Sequence, residues 1–136
     1  AGVTTAAGDT TTQAEATLPD EVPAELTDVA QLNAYATDLY FDYVGVNKFT
    51  STLATEEEKA LARKALKLII EAETKAIALY DQNSSLYYLR GKAYAESYAD
   101  TKDPDMKAKG LADFQKALDL GLTMAQANYD ALNAAE

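Results

Sequence analysis

From Thr27 onward the chain repeats one arrangement, in which apolar residues recur three and four positions apart between short polar breaks. Val29, Leu32, Ala36, Leu39, Tyr40 and Tyr43 fall on one stripe and predict a helix over 28–44, stopped by Gly45. Thr55 and Glu58 stand at capping-box spacing, where each side chain can accept the other's unpaired backbone N–H. The stripe that follows, Leu61, Ala65, Leu68, Ile69, Ala72, Ala76 and Leu79, predicts a second helix of about 26 residues, ending at Asp81-Gln82-Asn83. Ser84 or Ser85 is expected to cap a third helix, which carries Tyr87, Tyr88, Gly91, Tyr94 and Tyr98 and ends near Asp100. Asp103 followed by Pro104 starts a fourth, since Asp accepts free N–H groups and Pro suits the first helical position. That helix turns Leu111, Phe114, Ala117 and Leu118 inward and stops at Gly121. Thr123 with Gln126 has the spacing of another capping box and predicts a short fifth helix over 124–134.

No stretch alternates convincingly with a period of two, so the expected fold is all-α, about five helices joined by short turns into antiparallel hairpins. Gly91 and Gly110 sit inside predicted helices, where each costs about 1 kcal/mol relative to Ala, which points to close helix packing at both positions. Residues 1–26 behave differently. They hold six threonines and two prolines without a sustained period, and read as a leader or linker ahead of a domain spanning 27–136.

The run Leu86-Tyr87-Tyr88-Leu89-Arg90-Gly91-Lys92-Ala93-Tyr94-Ala95 resembles the first helix of a tetratricopeptide repeat, with Tyr87, Gly91 and Tyr94 at its signature positions. Leu111-Ala112-Asp113-Phe114-Gln115-Lys116-Ala117-Leu118-Asp119-Leu120 resembles the second helix through Phe114 and Ala117. Gly110 stands in place of the usual alanine and Leu122 in place of the usual proline. The longer turn at Lys102-Asp103-Pro104 and the junction from Leu120 to Gln126 are similar to Sel1-like repeats. Thr74 to Tyr80 resembles the end of an upstream repeat, with Glu73 at its aromatic position. The resemblance implies a right-handed, tetratricopeptide-like array of one clear repeat, one degenerate repeat and a capping helix. It also implies a ligand groove on the concave face, which here places Tyr88, Lys92, Ala95 and Glu96 in it. The cationic clamp that some relatives use is not reproduced, and an acidic, tyrosine-bearing groove suits a basic or apolar segment.

Charge and composition narrow the chemistry. A net charge of −10 repels phosphate backbones and anionic headgroups, so nucleic acid is a poor partner. Eight acids precede Lys48, the first basic residue, which makes the N-terminal third anionic. The chain has no cysteine and no histidine, which removes thiol chemistry, disulfides, histidine metal sites and the commonest general base. No nucleophile elbow, phosphate-cradling loop or dinucleotide fingerprint is present, and no cofactor is expected. Asp100, Asp103 and Asp105 are the best candidate cation ligands, but they read more simply as a helix stop and an N-cap. Glu56, Glu57 and Glu58 read as acids placed against a helix N-terminus, and Lys59, Arg63, Lys64 and Lys67 as a solvated face. No apolar run approaches the roughly 18 residues of a membrane span, so no membrane insertion is expected.

These features predict a non-catalytic interaction module, a scaffold or adaptor that binds a protein or peptide partner. A Thr-rich, Ala-rich start without a leading Met suggests an extracellular or periplasmic setting, with the cytoplasm left open. The alternative is a self-assembling subunit whose partner is another copy of the chain. There the leader makes the contact between subunits, burying Val3 and Leu18.

Overall fold

The computed structural model describes residues 18–136, so Val3 lies outside the described residues. Five α-helices account for the fold: α1 (Val29–Leu39), α2 (Glu56–Leu79), α3 (Ser84–Thr101), α4 (Pro104–Asp119) and α5 (Ala125–Ala134). Among the described residues there is no strand, and no helix is long and apolar enough to cross a membrane. Each helix packs on its sequence neighbours as a chain of helical hairpins, and α5 also reaches back to α3.

Local chemistry sets the helix ends. Asp28 caps α1, its carboxylate accepting the Gln31 N–H at 2.8 Å, while Gln31 accepts the backbone N–H of Asp28 at 3.3 Å. Thr55 and Glu58 form the expected capping box on α2, at 2.8 and 3.1 Å. Asp103 caps α4 by accepting the Asp105 N–H at 2.9 Å. Gly121, at φ +100°, ends α4 with a pair of bonds, Leu122 N–H to the Ala117 carbonyl and Gly121 N–H to the Leu118 carbonyl, both at 2.9 Å.

Two caps differ from the sequence expectation. Asn83, not Ser84 or Ser85, caps α3 by accepting the Ser85 N–H at 3.0 Å, because helical geometry already begins at Ser84. The Thr123 and Gln126 side chains do not form a capping box. Met124 precedes α5 without a side-chain cap, and the Gln126 amide instead donates to Asp130 at 2.9 Å.

The first predicted helix runs to its expected end but changes form on the way. Tyr40–Val44 is a single π-helical turn, closed by the Gly45 N–H on the Tyr40 carbonyl at 2.8 Å. The extra residue per turn rotates the stripe, so that Leu39, Tyr40 and Val44 all face inward. Gly45 then adopts φ +62° with ψ −166°, a conformation essentially reserved for glycine.

The core has two adjoining centres. One lies among α1, α2 and the first half of α3, around Leu32, Ala36, Leu68, Ile69, Ala72 and Leu86. The other lies among α3, α4 and α5, around Tyr87, Tyr98, Phe114, Ala117 and Leu132. Leu79, placed on the buried stripe by spacing, is 58% exposed as the last residue of α2. Gly91 and Gly110 mark the crossing of α3 and α4: a Cβ on Gly91 would lie 2.9 Å from the Phe114 ring, and one on Gly110 would lie 3.4 Å from the Gly91 carbonyl oxygen.

The packed unit extends beyond Thr27 into the stretch read as leader. Val22 is buried against the first core, its N–H donates to Glu71 at 3.2 Å, and Asp20 pairs with Lys64 at 3.2 Å. Leu18, expected to be covered by a second subunit, is half-buried against this same core of its own chain.

Candidate functional site

A cleft of about 470 Å³ lies at the junction of the two core centres. Four parts of the chain wall it: the π-turn and the loop after it, through Tyr40, Val46, Asn47 and Thr50; one face of α3; α4, through Phe114; and α5, through Asn128 and Leu132. Tyr88, Lys92, Ala95 and Glu96 all line it, each half-buried, because residues four apart or adjacent across the turn share one helix face.

Lys92 is the centre of the site. Its ammonium lies 4.3 Å from the Tyr40 ring centroid and 5.3 Å from that of Tyr88. Such contacts contribute roughly 0.5–1 kcal/mol in water and about 2 when desolvated. No carboxylate or other acceptor among the described residues lies within bonding distance of this ammonium. Burial lowers its pKa from the usual lysine range, opposed by the nearby Glu96.

Glu96 sits one helical turn further along. Burial pushes its carboxyl up to about 7, with Lys92 pulling the other way, and its Oε1 is buried without a hydrogen-bond partner. Lys92 and Glu96 have the spacing of a helix ion pair but do not form one, because the lysine is drawn over the tyrosine rings. The cleft therefore holds a lysine engaged by aromatic rings and, one turn away, a carboxylate with one buried oxygen left unpartnered.

Tyr88 is less free than an exposed anchor. Its hydroxyl donates to Asn128 at 3.1 Å, and its ring tilts against Phe114 at 6.1 Å between centroids, so it joins α3 to α4 and α5 while facing the cleft. At the far end, Lys102 and Lys107 donate to the backbone oxygens of Glu136 and Ala135 at 2.8 and 2.7 Å, holding the last residues across that end.

Tyr40 and Asn128 were not singled out by the sequence. Tyr40 reads as a core position, and only the π-turn brings its ring under Lys92. Asn128 carried a weak signal as a poor helix former in the middle of a short helix. The candidate cation ligands have other employment: Asp100 accepts both Arg63 bonds, at 2.8 and 2.9 Å, and Asp103 is an N-cap. Among the described residues no group of three acidic side chains is gathered to hold a metal ion.

A second polar feature lies outside the cleft. Arg90 forms a bidentate pair with buried Asp113 at 2.7 and 2.8 Å and also donates to Thr74 at 3.1 Å, linking α2, α3 and α4. Burial raises the Asp113 pKa and Arg90 opposes the rise. Nearby Glu73 is fully buried with neither carboxylate oxygen bonded, and burial takes its pKa up to about 8. No protein-family model, curated protein or solved structure matches this chain.

Proposed function

We propose that the domain is a non-catalytic binding module, related in design to tetratricopeptide and Sel1-like repeats, that receives a segment of a partner protein in the cleft beside α3. One observation carries this reading: the four residues assigned to a groove from the sequence line a single cleft large enough for a few side chains, walled by aromatic rings, with one buried carboxylate oxygen, Glu96 Oε1, unpartnered. Aromatic walls supply contact area at low entropic cost, and the few polar groups fix orientation.

The test selects peptides from a displayed random library on the whole chain, then measures the winners against two variants. Ala95→Arg fills the cleft, and Lys92→Ala removes its central cation. Both should weaken binding about tenfold or more, a difference of roughly 1.4 kcal/mol, with an unchanged helical circular-dichroism signal. Peptides that bind both variants as tightly as the parent place the binding surface elsewhere.

A further inference from the structure

We propose that the segment this cleft receives is acidic: an extended stretch of a partner protein that sets an apolar side chain between the tyrosine walls and an Asp or Glu carboxylate against Lys92. This deepens the docking role above and rests on the cleft being the binding site.

The warrant is charge complementarity, which here runs against the composition of the chain. The sequence holds 12 basic and 22 acidic residues. Among the described residues, the charged side chains lining the cleft are Lys92, Lys102 and Glu96, so cations outnumber acids there and the groove is not the acidic one expected from the sequence. Among those residues neither lysine forms an ion pair with a side-chain carboxylate. Lys92 is held by the Tyr40 and Tyr88 rings, and Lys102 by the Tyr98 ring, 5.2 Å from its centroid, and a backbone oxygen of Glu136. Rings and carbonyls hold an ammonium in place but leave its charge, and a concave apolar wall concentrates the field of that charge.

Glu96 decides between an acidic and a basic occupant. Its Oε1 is buried, so that oxygen is not presented to an incoming donor. A basic segment meets two like charges and reaches the acid only in part, and like charges brought together out of water repel strongly. For an acidic segment the one like charge is removable: burial pushes the Glu96 carboxyl up to about 7, against the pull of Lys92. An incoming carboxylate pushes it further up, so Glu96 takes up a proton as the segment binds. No second carboxylate lines the cleft among the described residues. The π-turn adds Tyr40, α3 adds Tyr88, Tyr98 and the two lysines, and α4 and α5 add no titratable group.

The extent of the surface points to a chain segment rather than a small acid. Val46, 76% exposed, lines both the cleft and an adjoining concavity, which Leu53, 90% exposed, lines as well. Apolar surface thus continues past the mouth of the cleft, where a second apolar side chain of the same segment can rest. A long polyanion is disfavoured by the net charge of −10.

The experiment reads the composition of peptides selected from the displayed random library on the whole chain. Only winners that lose binding to Ala95→Trp, an uncharged filling of the cleft, are counted, so peptides drawn elsewhere by the net charge drop out. In these winners Asp and Glu should be enriched beside apolar residues, and Lys and Arg depleted. Fluorescence anisotropy of a capped acidic winner at physiological salt should show affinity reduced about tenfold by Lys92→Met, restored by Lys92→Arg and reduced also by Lys102→Met, each variant keeping the helical circular-dichroism signal. Affinity should strengthen from pH 8 to pH 6, and Glu96→Gln should bind at pH 8 as tightly as the parent does at pH 6. Cleft winners rich in Lys or Arg, or without charge bias, overturn the acidic occupant and leave the binding module standing. An acidic winner whose affinity ignores Lys92, Lys102 and Glu96 does the same. No winners, or winners that all still bind Ala95→Trp, overturn the cleft as a docking site and the acidic occupant with it.

Discussion

At the scale of single residues, the interior of this small domain is notable for acids that burial has deprived of water. Glu73 is the extreme case, 0% exposed with both oxygens unbonded. Desolvation raises its pKa from 4.5 to about 8, and Arg90 recovers only part of that. The folded chain therefore keeps a proton on Glu73 over a range in which the unfolded chain has lost it. Where the folded state binds more protons, stability falls as pH rises, so the loss accumulates from about pH 4.5 to about pH 8 and is flat on either side. Glu73→Leu should remove this component. In urea unfolding the variant should gain on the parent by on the order of a few kcal/mol between about pH 5 and about pH 8. A gap between variant and parent that does not change with pH means that Glu73 titrates normally in the folded state. The sequence flagged Glu73 only as an acid where an aromatic was expected; that it is sealed in, and unpaired beside an occupied Arg90, depends on three helices meeting.

At the scale of elements, helix ends are local and helix crossings are not. Caps at Asp28, Thr55 and Asp103 are set by residues within one turn of each other, and two of them, Thr55 and Asp103, were legible as spacing. The cap at Asn83 was misplaced by one residue because Asn, Ser and Ser are all competent, and the choice falls to where the backbone turns helical. Both intrahelical glycines were legible as anomalies, but their partners were not. A methyl on Gly91 meets the Phe114 ring edge at 2.9 Å and Asp113 Cβ at 3.2 Å, and Phe114 is 1% exposed with nowhere to go. A methyl on Gly110 meets chiefly the Leu132 Cδ2, the end of a side chain that can rotate. Overpacking costs about 1–3 kcal/mol, against a helix-propensity gain of about 1 kcal/mol for Gly→Ala. Gly91→Ala is thus expected to destabilise the domain by about 1–2 kcal/mol in thermal or urea unfolding, and Gly110→Ala to have a smaller effect of either sign. The reverse order would mean that α4 and α5 are the rigid pair rather than α3 and α4.

At the scale of the whole molecule, the segment before α1 belongs to the domain. Residues 18–26 have no helix, but they supply Val22 to the first core at 4% exposure, a backbone bond to Glu71 and an ion pair to Lys64. Burying a valine side chain contributes about 1.5–3 kcal/mol, while the exposed ion pair adds little. A chain beginning at Thr27 should therefore unfold about 2 kcal/mol more easily than one beginning at Leu18, measured by urea denaturation. Equal stability would show that the segment rests on the domain without holding it. The same packing places Leu18 against the first core of its own chain.

Taken alone, the sequence determined the helical class, the number and approximate limits of the helices, the caps at Thr55 and Asp103 and the face of α3 that carries Tyr88, Lys92, Ala95 and Glu96. All of these follow from interactions within a few residues, whose strength depends on spacing along the chain. Only the tertiary structure decided that Tyr40 lies under Lys92, that Asn128 bonds Tyr88, that Glu73 and Glu96 are short of partners, and that residues 18–26 complete a core. The physical reason is that desolvation and polar satisfaction depend on everything within a few ångströms in space. Those neighbours come from positions as far apart in sequence as Val22 and Glu71 or Tyr88 and Asn128.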